Sequence, residues 1–436
     1  MSEEIDTRTD AIEARTMWKV RIRILPFVFV LFIIALLDRF NIGFAALTMN
    51  KELAITSQQY GLVFGIFFFG YFIFEIPSNL LLHKIGARIW IARILITWGI
   101  VATLTGFVQT VHQLYTVRFL LGFAEAGYFP GMTLYLTYWF PQREQARALA
   151  LLIAASPVTN ILGAPISGFI LDHVHWLGVS SWRWLLILQG IPALIFGFLT
   201  YSLLPNRPAE AKFLATDEKE WLRAELRREE QQKLEHRQYS ALQALACGRV
   251  WYLILIYFGM MIGLYALISW APQLMKSLSG LYSNSMIGLL LPIPYLVGLG
   301  GLIFICHSSD RNEERRYHVG IPAIVGGLAL VLLGIAHSAF FTVVLLSFVA
   351  IGVYGCMGPF WTLPSEFLTG FSAAAGIALV NSVGNLGGLV GPYTIGAIAM
   401  RTGNLYDGLA LTGVCLFVSA TLVLLLPRKV RMLAKG

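Results

Sequence analysis

The sequence predicts an all-α membrane protein in which twelve transmembrane helices form two pseudo-symmetric six-helix halves. Three observations carry this. Hydrophobic residues make up 57% of the 436 and charged residues only 13%, roughly half the share of a domain that faces water. Apolar runs of bilayer-crossing length recur along the chain, and lysine and arginine gather in alternate connections between them. A chain this poor in charge is explained if lipid replaces water around most of its surface. The formal charge of +8 then reflects the ends of the apolar runs and a bilayer as partner, with no nucleic acid.

A span needs about 20 apolar residues to cross roughly 30 Å of hydrocarbon. On that basis the spans fall at 24–48, 59–82, 89–110, 114–140, 147–171 and 183–204. After a polar stretch they resume at 250–274, 285–307, 318–337, 340–364, 372–399 and 406–427. The chain divides accordingly into a tail (1–23), a first half (24–204), a central loop (205–249), a second half (250–427) and a tail (428–436).

Basic residues give the orientation. Twenty-five of the 32 lysines and arginines lie in the two tails, the central loop and the connections after spans two, four and eight. The opposite connections hold only Lys51, Arg183, Lys276 and Arg401. By the positive-inside rule both termini and the central loop are cytoplasmic, in an inner (plasma) membrane protein with an even number of spans. The first twenty residues are polar and contain no apolar core of a cleavable signal. In the central loop, Thr216 followed by Asp217, Glu218 and Glu220 reads as a capped helix start. The scattered cysteines, Cys247, Cys306, Cys356 and Cys415, read as packing residues.

The halves repeat. His83-Lys84 and Arg88 fall on Asp310-Arg311 and Arg315 at an offset of 227, as Gly163-Ala-Pro165 falls on Val390-Gly-Pro392. Pro130 falls on Pro359 at 229. Repeats of this kind mark secondary transporters, whose site lies between the repeats near mid-membrane.

The segment Pro77-Ser-Asn-Leu-Leu-Leu-His-Lys-Ile-Gly-Ala-Arg88 resembles the inter-helix loop motif of the major facilitator superfamily. Leu37-Asp-Arg-Phe-Asn-Ile-Gly-Phe44 and Arg118-Phe-Leu-Leu-Gly-Phe-Ala-Glu-Ala-Gly-Tyr-Phe-Pro130 are similar to its anion:cation symporter branch. Leu136-Thr-Tyr-Trp-Phe-Pro141 and His307-Ser-Ser-Asp-Arg311 extend the resemblance over nearly the whole chain. It implies proton-linked uptake of organic anions such as sugar acids, tartrate-like diacids or small aromatic acids of the hydroxyphenylacetate kind. His83 departs from the motif, which there carries aspartate, whereas Asp310 keeps the acid in the second half. Lys84, Gly86, Arg88, Asp310 and Arg311 are the gating or structural residues this implies.

Few charges fall inside the spans, and each costs at least ~2.5–3.5 kcal/mol at the bilayer centre. Asp38 and Arg39 lie in the first span, in the half of the membrane away from the cytoplasm; Arg118 and Glu125 share one face of the fourth. Arg39 and Arg118 are expected to hold a carboxylate, since a guanidinium fork donates two parallel bonds to one. With Asp38 and Glu125 ionised the group is neutral; one proton leaves a positive charge for an anion to balance. Glu125 is the expected main proton carrier, with Asp38 paired to Arg39. The competing reading is that these charges only lock helices together.

Further expected substrate contacts are Tyr71 and Ser156 in the first half, and Trp361, Thr362, Asn381 and Asn385 in the second. Glu75, just before Pro77, reads as structural. Pro165 and Pro392, each behind a glycine or Gly-Ala pair, would bend or unpack equivalent helices in a rocking mechanism. No GxxxxGK[ST] loop or HExxH motif occurs, so neither an ATP-driven pump, nor an enzyme, nor a metal or cofactor site is expected. The small organic acid, the proton and lipid are the expected partners of a monomer. The alternative on the same fold is an exporter or exchanger of organic compounds, which would favour unbalanced acids and a more aromatic cavity.

Overall fold

The computed structural model describes residues 2–234, 247–278, 282–367 and 371–426. The C-terminal tail 428–436 and part of the central loop lie outside them. The first half comprises α1 (Ser2–Glu52), α2 (Ser57–Ile85), α3 (Ala87–Thr105), α4 (Val111–Glu125), α5 (Tyr128–Thr137), α6 (Gln142–His173) and α7 (Ser181–Leu203). A surface helix, α8 (Thr216–Leu234), follows. The second half comprises α9 (Gly248–Leu278), α10 (Asn284–Leu290), α11 (Pro292–Arg311), α12 (Arg316–Leu332), α13 (Ala339–Gly355), α14 (Met357–Phe367), α15 (Phe371–Gly384), α16 (Gly387–Thr402) and α17 (Leu405–Leu425).

Among the described residues there are ten helical segments long and apolar enough to cross a membrane. The fourth and eleventh spans complete the twelve as broken pairs, α4–α5 and α15–α16. Large apolar side chains face outward, Phe340 and Phe304 at 72% exposure each, as a lipid-facing surface requires.

Each break has a local cause. Gly127 sits at φ +82° between α4 and α5, a left-handed conformation that side chains resist. A Cβ there would lie 2.3 Å from the Ser78 hydroxyl. The tenth span breaks at the equivalent place, between Gly355 and Met357, so the interruption follows the repeat. The eleventh unwinds across Asn385 and Leu386, within the Gly384–Gly388 run.

The six even-numbered spans all begin at the end away from the basic loops, where charges are scarce. Their N-cap residues are Thr56, Thr110, Ser180, Ser283, Ser338 and Asn404, and all but Ser180 accept a bond from their own helix. Neutral caps satisfy the orphan amides without adding charge there.

At this same end the halves touch closely. A Cβ on Gly61 would lie 2.3 Å from the Pro392 carbonyl, and one on Gly288 would lie 2.6 Å from the Ala164 carbonyl. The Gly-Ala-Pro and Gly-Pro segments thus sit at the two seams between the halves, inside continuous α6 and α16. Asp172 of α6 accepts from the Asn284 amide (3.2 Å), the Asn284 side chain (2.8 Å) and the Ser285 amide (2.6 Å), capping α10 across the seam. Tyr60 donates to the Ser269 carbonyl at 2.7 Å, and Gln58 to Tyr393 at 2.9 Å.

The first helix joins the expected tail (1–23) to the first span without a break. It runs unbroken through the basic end because its charges find partners there. Arg15 and Lys19 contact Glu218 of α8 at 2.7 and 2.8 Å, and Arg21 contacts Glu144 of α6 at 2.5 Å. Burial pushes the Glu218 carboxyl up, but Lys19, the Ala215 amide and Arg15 outweigh it and hold the group below the usual carboxylate range. A carboxyl depressed in this way stabilises the docked state above its unfolded value, near ~4.3, and loses that contribution as pH falls through the folded value. The α8–α1 contact is therefore expected to hold at neutral pH and loosen below about pH 4. Glu218→Ala should speed tryptic cleavage within 207–249 at pH 8 by about tenfold; unchanged cleavage would mean that other contacts hold α8.

Candidate functional site

Between the halves lies a cavity walled by residues of both. Spans one, two, four and five of the first half and seven, ten and eleven of the second contribute to its wall. The wall includes Arg39, Tyr71, Glu125 and Ser156 from the first half and Trp361, Asn381 and Asn385 from the second. Asp38, Arg118 and Thr362 are not among the lining residues. The Thr362 hydroxyl donates to the Pro359 carbonyl at 2.8 Å.

The charged cluster is built by close packing of the second and fourth spans. A Cβ on Gly122 would lie 1.9 Å from the Phe67 carbonyl, and one on Gly70 2.3 Å from the Phe119 carbonyl, so both positions must be glycine for these backbones to approach. Glu125 ends α4 just before the Gly127 break, fully buried. Its Oε1 accepts from the Arg39 guanidinium of the first span. Its Oε2 is buried without a hydrogen-bond partner.

The two arginines flank one ring, Arg39 at 5.1 Å and Arg118 at 5.3 Å from the centre of Phe67. Cation–π attraction to this shared ring lessens the cost of holding two cations near each other. Arg118 is 1% exposed; its Nε donates to the Val63 carbonyl at 3.3 Å and its Nη2 lacks a partner. Asp38 faces away from its neighbour Arg39, accepting from the Trp98 indole of the third span at 2.9 Å. The pairing seen is therefore Arg39 with Glu125, in place of the expected Asp38 with Arg39. On a helix, consecutive residues point about 100° apart, so one of the two had to face elsewhere.

The cavity wall also contains residues that sequence reasoning missed, among them Phe68, Tyr128, Met261, Tyr257, Tyr265 and Tyr354. Tyr354 lies at the 229 offset from Glu125, so the repeat could have pointed to it. The tyrosines of the seventh span carried no signal beyond their presence in an apolar run.

The residues of the loop between α2 and α3 lie at the basic end. Gly86 adopts φ +96° there, and the Arg88 amide donates to the Asn206 side chain at 3.0 Å. Lys84 is exposed. In the second half Asp310 pairs with Arg315 at 2.6 Å, while Arg311 is exposed.

This architecture is that of a membrane transporter with a cavity between its two halves, and sequence comparison agrees on the class. Residues 28–431 match the Major Facilitator Superfamily. The chain is 44% identical over 417 residues to a protein of Agrobacterium vitis named "Putative tartrate transporter", covering 96% of each. It is 39% identical over 390 residues to a "Quinolone resistance transporter" of Acinetobacter baumannii, covering 89% of this chain and 90% of that one. A bacterial homologue of the lysosomal transporter Spinster has the same fold, with a TM-score of 0.75 at 16% identity over 93% of this chain and 96% of that one. The chain belongs to the Major Facilitator Superfamily and is a transporter, not an enzyme.

Trp98→Phe removes the donor to Asp38 and leaves that carboxyl buried without a hydrogen-bond partner. Unfolding in detergent is expected to show a loss of about 1–3 kcal/mol, and no loss would indicate that Asp38 finds another donor.

Proposed function

We propose that this protein imports a small organic anion of the tartrate-like hydroxy-diacid class together with a proton, by alternating access. The observation that carries the reading is the Arg39–Glu125 pair at the cavity wall. Arg39 is the cation that the cavity offers an anion, and an internal carboxylate already occupies it. A substrate carboxylate must displace that partner, and a displaced, buried glutamate is far cheaper to keep neutral than charged. Protonation of Glu125 and binding of an anion at Arg39 thus favour each other, as linkage requires.

Charge counting supports the same scheme. Asp38 and Glu125 balance Arg39 and Arg118 in the empty site, and one proton plus one carboxylate preserve that neutrality. The relative named as a tartrate transporter supports the substrate class. The asymmetry of lysine and arginine supports an inner membrane location with both termini cytoplasmic. The close seams at the other end support a reading of this state as sealed toward the outside, which rocking of the halves about the cavity would open.

Export on the same fold is the second reading, favoured by two observations. Ten of the cavity residues are aromatic, and a relative is named for quinolone resistance. Direction of transport in proteoliposomes separates the two.

Uptake of labelled tartrate should accumulate under an inward-acid gradient, and Arg39→Ala should reduce it more than about 100-fold, since it removes one partner of a buried ion pair. Gradient-independent uptake, or uptake unaffected by Arg39→Ala, contradicts the scheme. Glu125→Gln should still exchange tartrate across the membrane but no longer accumulate it against its gradient. Retained accumulation would move the proton to another group.

A further inference from the structure

The second span carries a buried acid that the coupling scheme does not use. Glu75 is 2% exposed, one turn beyond the cavity-lining Tyr71 toward the basic end. Its partners come from the other half of the protein. Its Oε1 accepts from the Asn381 side chain at 3.2 Å, and its Oε2 accepts from the Ser382 hydroxyl. Neither donor is charged. A buried carboxylate held by neutral donors is costly to keep, and a clasp between helices could be made from amides alone. The choice of a carboxylate therefore asks for a reason.

The reason lies in what its partners do next. A carboxylate accepts, whereas a carboxamide both donates and accepts and can turn over. Because Asn381 donates its Nδ2 to Glu75, its Oδ1 faces Asn385, from which it accepts at 3.1 Å. The Asn385 Nδ2 donates also to the Asn381 carbonyl at 2.9 Å. Both amide hydrogens of Asn385 are thereby engaged. What remains to Asn385 is its carbonyl, which meets the Tyr265 hydroxyl at 3.5 Å and retains acceptor capacity. Asn381, Asn385 and Tyr265 all line the cavity, opposite the half that contributes Arg39.

We propose that Glu75 is a positioning residue for substrate specificity: through Asn381 it fixes the Asn385 carbonyl as a hydroxyl acceptor in the cavity wall. The ligand class is a hydroxy acid whose carboxylate meets Arg39 and whose hydroxyl donates to Asn385. This rests on the reading of the cavity as the organic-anion site.

The test compares binding of tartrate and of succinate, which share two carboxylates and differ by two hydroxyls, to the purified full-length protein by calorimetry. The wild type should prefer tartrate. Glu75→Gln can present an amide hydrogen to Asn381 and release the relay, so the preference should fall about tenfold while succinate affinity changes less than about threefold, as expected for one hydrogen bond to a substrate hydroxyl. Asn381→Ala breaks the relay at its next link and should do the same, which keeps the test open if the first variant does not fold. Ser382→Ala loosens the clasp but leaves the relay, and should keep the wild-type preference. Equal weakening of both acids by Glu75→Gln would make Glu75 a structural clasp and overturn the proposal. So would an unchanged tartrate preference in both relay variants, or the absence of any preference in the wild type. Failure of the wild type to bind either acid would instead overturn the organic-anion reading beneath it.

Discussion

The buried ion pair between Arg39 and Glu125 is the constraint around which the first half is arranged. Glu125 is fully buried, and a buried pair returns the cost of desolvation only if its geometry is held closely. Two features hold it. The close approach of the second and fourth spans at Gly70 and Gly122 fixes where α4 lies. The Gly127 break ends α4 directly after the acid. Phe67, presented by the second span between the two arginines, lets a second cation sit nearby without contacting the first.

The remainder of the fold places that pair where a movement can use it. Glycines bring the halves together at the end away from the basic loops, with carbonyls of Pro392 and Ala164 close to Gly61 and Gly288. Contacts between bare backbones carry little side-chain interlock, and such seams can part as rigid surfaces. The hydrogen bonds across them, among them those from α10 to Asp172 and from Tyr60 to Ser269, are directional. Farther along the second span, the cavity separates these seams from the Glu75 clasp. The second span therefore contacts the other half on both sides of the site, and a rocking motion must exchange one set of contacts for the other.

Much of this was legible in the sequence because the bilayer leaves few options. Span length, charge scarcity and basic-loop alternation define twelve crossings, and the repeat fixes their division. The charged residues of the site stood out for the same reason, since Arg39, Arg118 and Glu125 are conspicuous in apolar helices. Their pairing was not legible. Asp38 and Arg39 are neighbours in sequence, yet helix geometry sends one toward Trp98 and the other toward Glu125. Glu75 read as structural from its place just before Pro77 at the basic end of its span; its partners are 306 and 307 residues away, a separation that no local pattern reveals. The breaks in spans four, ten and eleven were hidden as well, because an apolar run has the same composition whether or not its helix is continuous. The aromatic lining fell in the same blind spot: a tyrosine facing a cavity and one facing a neighbouring helix have identical sequence surroundings.

The most direct measurement of the central claim is the number of protons taken up when the substrate binds, obtained from calorimetry of tartrate binding at pH 8 in buffers of different ionisation enthalpy. If a substrate carboxylate replaces Glu125 at Arg39, binding draws in about one proton in the wild type and about none in Glu125→Gln. Binding without proton uptake in the wild type would mean that Glu125 keeps both its charge and its hold on Arg39, and that the anion is bound elsewhere.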